Sequence, residues 1–492
     1  MIRRIIAVLY ISLMIIPLVM AQTSTDALRY SYLNPQGTAR AMGVGGAMGA
    51  LGGDFTSVAI NPAGIAGYWK SEFMFTPSFN NVKTVSTLND NPSTEQLANQ
   101  FNISNLGIVF ANTPQRGSWK SVSLGFGLNK LANFQQDLFF SGETEGSITD
   151  RFAGLGTGII DPDFLDPYEA GLAYETGAIY DIQGDGNYET DFMGSEGEVF
   201  DKEQLVTASG YFNEMSIAFG GNFKDQLLLG ASIGIPFISY ESEKSYRESD
   251  PADVIPAFNE LAFDEYLTTE GGGVNFKIGA IAKINRTFRV GAAFHSPTFM
   301  TLTDRFTTDL RYDFDQGSGN ESYSASGPEG EFEYGLTTPW RAVANAAMII
   351  AKSGFISADI EYVDYGTAKF NFTRNSDNFE DREYQEQVNQ EIKDIYGGAI
   401  NVRLGGELAL DAFRFRGGLQ LLTSPFVDDN TMQSIITLGA GIRGDKAFVD
   451  LSYNYSNQKE VYLPYAVSGA PQQVVNNKIN RNQVLLTVGF KI

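Results

Sequence analysis

The sequence predicts an all-β chain, a 14-stranded antiparallel barrel that crosses a membrane. Three observations carry this prediction. Period-two segments recur fourteen times, the connections between them alternate between short and long, and an apolar leader marks the chain for export.

The leader sets the compartment. Arg3 and Arg4 precede an uncharged apolar stretch from Ile5 to Val19, and Val19-Met20-Ala21 places small or aliphatic residues at the cleavage positions. This pattern is a secretory signal peptide over residues 1–21, with Gln22 as the mature start. No later apolar run is long enough for a spanning helix. Membrane crossing therefore falls to strands, in the outer membrane of a Gram-negative cell.

Strands are expected to begin near Trp69, Ser104, Trp119, Gly210, Gln226, Gly272, Thr287, Pro339, Gly354, Ala399, Phe413, Ser434, Ala447 and Arg481. Short turns fall at Thr113 to Ser118, Asn222 to Asp225, Asn285-Arg286, Lys352-Ser353, Asp411-Ala412 and Gly444 to Lys446. Long connections include Gly142 to Ser209, Glu241 to Gly271, Thr301 to Thr338, Arg374 to Gly397 and Lys459 to Asn480. Short turns on one rim and long loops on the other are the pattern of an outer-membrane barrel.

Face chemistry agrees. Ile356, Ala358, Ile360 and Tyr362 alternate with Ser357, Asp359 and Glu361, and Phe413 and Phe415 alternate with Arg414 and Arg416. Charge facing hydrocarbon is costly, so the charged face turns inward. Arg341, Asp359, Glu361, Arg403, Glu407, Arg414 and Arg416 are then expected to form a lumenal charge ladder. Trp69, Trp119 and Trp340 stand at strand starts, where interfacial aromatic girdles belong.

Composition narrows the chemistry. The chain has 492 residues, a net charge of −23, no cysteine and one histidine, His295. Cysteine zinc sites, iron–sulfur clusters and thiol nucleophiles are excluded. His295 adjoins Ser296, but neighbours on a strand point to opposite faces, so no triad forms directly. No enzyme activity and no cofactor are expected. The acidic balance is wrong for nucleic acid.

Residues 22–68 lack strand pattern. They hold Arg40-Ala-Met-Gly43-Val-Gly45-Gly46-Ala47, then Asp54, then Asn61-Pro62-Ala63-Gly64-Ile-Ala66. A phosphate loop is a poor reading, because no strand precedes Gly43. The glycines suit close packing of irregular backbone. With Gly291-Ala-Ala-Phe-His-Ser-Pro297 and Asp359-x-Glu361-Tyr362-x-x-Tyr365, this block resembles the FadL/TodX family of outer-membrane transport proteins over essentially the whole mature chain.

The resemblance implies a hatch over residues 22–68, built on Arg40, Gly43, Gly45, Gly46, Asp54, Asn61, Pro62 and Ala63, inside a barrel over 69–492. It implies passive uptake of hydrophobic molecules, typically long-chain fatty acids, and lateral exit beside a kinked third strand, where Gly125 and Gly127 would tolerate the kink. A second reading keeps the fold: some FadL-like barrels are protein-binding components of the type IX secretion machinery. A hydrophilic porin does not fit a hatch, and a TonB-dependent receptor has 22 strands. Such a barrel is expected to meet membrane lipid, lipopolysaccharide and the barrel-assembly machinery.

The loops add two expectations. Ser141 to Ala208 holds 16 acidic residues against Arg151 and Lys202. A solvated, lipopolysaccharide-facing surface explains that charge, and Asp181, Asp185, Asn187 and Glu189 are a calcium candidate whose spacing departs from an EF-hand. Asp166-Pro167 resembles a helix start, and Asp250-Pro251 begins a second candidate helix. Its face Val254, Ile255, Phe258, Leu261 and Ala262 would pack on the loop's own core or line a ligand groove.

Overall fold

Alternation at period two gives each strand one apolar and one polar face, and closing the sheet on itself leaves no unpaired edge. The computed structural model describes residues 22–195, 197–315, 317, 319–372, 379–467 and 472–492; the expected signal peptide lies outside them. Among the described residues the wall runs through β1 (Glu72–Leu88), β2 (Thr94–Asn112), β3 (Trp119–Asn133, continued by Gln136–Thr144) and β4 (Phe200–Phe223). It continues through β5 (Leu227–Ser249), β6 (Phe258–Lys283) and β7 (Phe288–His295, continued by Phe299–Asp315). Next come β8 (Asn320–Ser326, Gly330–Thr337 and Arg341–Ile350) and β9 (Gly354–Asp364, continued by Lys369–Asn371). Last are β10 (Gly398–Leu410), β11 (Phe413–Thr423), β12 (Met432–Arg443), β13 (Ala447–Tyr462) and β14 (Val475–Lys491). Every pairing is antiparallel, and β1 pairs with both β2 and β14, which closes a 14-stranded barrel.

The outside is apolar. Phe126, Ile217, Phe219, Ile278, Phe294, Ile360, Leu404, Phe415, Leu438, Leu451 and Leu486 are all exposed, while their neighbours Glu214, Lys277, His295, Asp359, Glu361, Arg403, Arg416 and Asp450 are buried inside. This inversion of a soluble fold is what a lipid-embedded barrel requires. The short turns fall where the alternation predicts. In the β4–β5 turn, Lys224 and Asp225 both have positive φ, 55° and 54°, as a tight hairpin demands.

The long connections differ from expectation. Much of Glu241–Gly271 and Thr301–Thr338 is strand, because β5, β6 and β7 continue far past the membrane. Their outer faces there carry ion pairs instead of apolar side chains: Arg247–Asp264, Arg311–Glu260 and Arg305–Glu331. Without lipid to demand an apolar face, the period-two signal fades while the hydrogen-bond ladder persists.

Above this wall sits a small domain with its own core. Helix α3 (Ile148–Gly156), helix α4 (Ala170–Thr176) and the ends of β4 to β7 enclose Phe152, Leu172, Ile179, Phe200, Tyr246, Leu261 and Tyr312. The Asp166-Pro167 start is displaced: the helix begins at Ala170 with Glu169 as its N-cap, and Asp166 accepts from the backbone N–H groups of Tyr168, Glu169 and Ala170 in the turn that leads into it. The Asp250-Pro251 helix is corrected. Asp253 and Ala257 have φ of 55° and 67°, which a helix cannot hold, and the chain turns there into β6. Ile255, Phe258 and Leu261 are buried in the domain core with Val254 packed against it; Ala262 is buried too.

Candidate functional site

Residues 22–68 lie within the barrel, tied to strands all around it. Two short helices, α1 (Ser24–Arg29) and α2 (Ala39–Gly43), and two 3₁₀ turns (Phe55–Ala59 and Pro62–Gly67) are joined by irregular backbone. Irregular backbone has unpaired N–H and C=O groups, and buried ones need partners. The inner wall supplies them. Ala39 N–H donates to Thr487 on β14 (2.7 Å) and Gly49 N–H to Asp359 on β9 (3.0 Å). Thr437 on β12 donates to the Gly43 carbonyl, Ser357 on β9 to that of Ala47, and Ser121 on β3 to that of Ala66.

The expected residues take specific parts. Arg40 donates to the Gly53 carbonyl (2.8 Å), and Asp54 accepts from Thr38 and from Thr56 N–H. Gly45 and Gly46 have φ of 65° and 73°, and Gly45 lies against the backbone of Leu404 and Leu419, where a side chain has no room. Gly43 abuts Gly439 on β12. Asn61 caps its own turn through Ala63 N–H and donates to Asn345 on β8 (3.0 Å). Pro62 lies over Gly230, and Ala63 packs with Leu228 and Ile281.

The charge ladder is present and runs further than the seven expected residues. Arg341 and Arg403 both reach Glu361 (3.2 and 3.5 Å), and Arg416 reaches Glu407 and Asp450 (2.7 Å each). Arg443, Asp450, Asn345 and the Lys277–Glu214 pair extend it. Arg414 joins it at the short-turn rim, 3.7 Å from Glu407, while also donating to the carbonyls of Asp411 and Phe413. Ladder groups also hold residues 22–68, since Arg341 donates to the Ser31 carbonyl (2.6 Å) and His295 Nε2 lies 2.9 Å from that of Ile60.

Gly125 and Gly127 do not mark an opening. Both stay paired, with Val109 and Gly107 on β2 and with Ala218 and Ser216 on β4. Their missing side chains make room for Phe55 and Ile65: a Cβ on Gly125 would fall 2.3 Å from Ile65, and one on Gly127 would fall 2.5 Å from Phe55. The break comes higher up. The last β2–β3 pair is Asn105 with Asn129; above it β3 stays with β4, while Thr94–Ile103 of β2, past a bulge at Ser104, pairs only with β1. The carbonyls of Lys130 and Leu131 accept instead from Gln36 and Asn34 N–H (2.8 and 3.0 Å). Overhead, Thr94 meets Phe139 and Asn91 meets Glu143, so the gap is a closed-ended slot. Leu97, Phe101 and Ile103 stand exposed along its outer edge.

The calcium candidate spends its oxygens locally. Asp181 accepts from the N–H groups of Gly184, Asp185 and Gly186, and Glu189 from that of Ile182. Among the described residues no group of three acidic or histidine side chains could hold a metal.

A scan against protein-family models and a search of curated proteins find no match. Among solved structures, a Pseudomonas aeruginosa FadL homologue aligns with 93% of this chain and 99% of its own, at TM-score 0.53 and 13% identity. The CymD monoaromatic hydrocarbon channel (TM-score 0.48, 13% identity, 93% and 97% covered) and the Pseudomonas putida toluene transporter TodX (0.48, 12%, 92% and 98%) also align. The likeness to the P. aeruginosa protein shows a shared fold, the FadL-type outer-membrane barrel.

Proposed function

We propose that this barrel is an outer-membrane channel for passive uptake of hydrophobic molecules, long-chain fatty acids foremost, with residues 22–68 as its hatch. The slot between β2 and β3 carries the reading. While residues 22–68 fill the barrel axis, a solute can leave sideways into the apolar layer. An acyl chain gains roughly 0.8 kcal/mol per CH₂ by quitting water, whereas a sugar or ion gains nothing there.

The test is mass spectrometry of the organic extract from gently purified protein, beside an unrelated barrel prepared identically. A stoichiometric, selectively enriched apolar molecule is the expected result. An extract matching the control would count against uptake. One observation favours a second reading, a protein-binding component of a type IX secretion system: Ile160, Phe164 and Ile182 are 66%, 77% and 76% exposed on the acidic external domain. Co-purifying proteins without bound lipid would favour it.

A further inference from the structure

The barrel wall closes on itself, but the sheet it raises above the membrane does not. Six strands form that sheet, from the Gln136–Thr144 part of β3 through the outer ends of β4, β5, β6 and β7 to the Asn320–Ser326 part of β8. A sheet edge presents a row of backbone N–H and C=O groups with no strand to meet them. The β3 edge is covered by the chain itself. There the Thr94 hydroxyl donates to the Phe139 carbonyl, and Asn91 donates to the Glu143 carbonyl and accepts from its N–H. The β8 edge is open: among the described residues Asn320–Ser326 pairs with β7 alone, over seven residues in continuous register.

Lysine, proline or a bulge commonly protects such an edge, and Asn320–Ser326 has none of the three. Its two faces differ. On the outer face Asn320, Ser322, Ser324 and Ser326 are exposed, with Ser322 donating to Asp313 and Ser326 to Asp309. On the inner face Ala325 packs against the core of the external domain. Beside it Tyr323 stacks on Phe314, 5.8 Å between ring centroids, yet stays 49% exposed. The core thus ends at a half-covered ring, which one more strand would cover.

Charge selects that strand. From Asp309 to Glu329 the chain carries five carboxylates and one cation, Arg311, which is already held by Glu260 and Asp313. A second copy would bring the same acids to the edge, and like charges across a strand pair repel. A segment with cations on its outer face and an apolar residue beside Tyr323 suits both faces.

We infer that Asn320–Ser326 is a docking edge for a partner protein, which adds to it an extended segment alternating lysine or arginine with apolar residues. Main-chain hydrogen bonds give such an added strand its affinity, and alternate side chains give it selectivity. This goes beyond the uptake reading and does not depend on it.

The experiment measures binding of a short fluorescent peptide, alternating lysine with valine, to the full mature chain in nanodiscs of zwitterionic lipid. Two N-methylated forms are compared with it, one methylated at every lysine nitrogen of the backbone and one at every valine nitrogen. A further peptide carries glutamate in place of lysine. An added strand turns the N–H groups of alternate residues toward the edge. One methylated form is therefore expected to bind like the parent, and the other at least tenfold more weakly, as is the glutamate peptide. Ser322→Lys/Ser326→Lys, at exposed positions, should weaken the parent peptide about tenfold, with heat-shifted gel mobility confirming a folded barrel. Failure of the parent to bind, equal binding of the two methylated forms, no preference for lysine over glutamate, or binding unchanged in the double variant would each overturn the docking edge. A wild-type dimer in light scattering that the two lysines dissolve would also overturn it, since the occupant is then a second copy. None of these outcomes bears on uptake.

Discussion

Phe55 shows how a single side chain ties residues 22–68 to the barrel wall. Its ring occupies the space left by Gly107 and Gly127, while Gly125 accommodates Ile65. An added methyl at Gly125 meets only side-chain atoms, Ile65 at 2.3 Å and Phe55 at 3.2 Å, so the strain it creates can be relieved at Ile65. Gly125→Ala alone is expected to destabilise by about 1–3 kcal/mol through overpacking, and Ile65→Ala alone by about 2–5 kcal/mol through its cavity. Combined, they should cost less than the sum, since one fills what the other empties. Urea unfolding of the four proteins in micelles measures the cycle, and strict additivity would refute the contact. Asp450 presents the electrostatic counterpart. It and the Arg416 side chain are fully buried 2.7 Å apart, so Asp450→Asn should cost about 3–5 kcal/mol by stranding a guanidinium. Unchanged urea stability in that variant would mean Glu407 suffices as partner.

At the scale of the element, one cross-strand pair beyond the membrane, Lys202 on β4 and Glu248 on β5, joins the external domain to the extended strands. Glu248 accepts from Ile148 N–H and the Tyr246 hydroxyl, pinning α3; Lys202 donates to Thr144 and to the Glu145 carbonyl. Burial lowers the Lys202 ammonium from 10.5 to about 8. Between those values the unfolded chain binds more protons than the folded one, so this group's contribution to stability rises with pH across that window. Burial pushes the Glu248 carboxyl up, which acts in the opposite sense but starts from the acid range. Wild type should therefore gain on Lys202→Met between pH 8 and 10.5, by on the order of 3 kcal/mol. Thermal melts of both proteins at several pH values would show it, and parallel profiles would not.

The same scale explains what could be read beforehand. The strands from Ile356 to Leu421 were legible because lipid forces one face to be apolar. Beyond the membrane that constraint lapses, so Glu241–Ser249, which alternates charge with serine and tyrosine, reads as loop although it is strand. The ladder was legible because inward alternation puts Arg341, Glu361 and Arg403 on adjacent strands. The break beside Lys130 was not, since it consists in a missing β2 partner, which no local pattern reports. The polar run Asn133, Gln135, Gln136 inside a strand was the available sign.

For the whole molecule the question is whether residues 22–68 must move for a solute to pass. They are fastened to β3, β7, β8, β9, β12 and β14, so release of one contact leaves the others in place. A covalent tether at one point tests the whole. The chain has no cysteine, so an introduced pair forms without competition. An ideal Cβ on Gly49 falls 2.3 Å from Asn345 Cγ, which sets the two Cβ atoms about 3–4 Å apart, close to the ~3.8 Å of a disulfide. Gly49→Cys/Asn345→Cys removes a donor to Asp359 whether oxidised or reduced, so the reduced form is the matched control. Uptake of a labelled fatty acid into cells should stop on oxidation and return on reduction. Equal uptake in both states would mean that solutes bypass a stationary plug and reach the slot from above, which would assign gating to Gln36, Asn34 and the external domain.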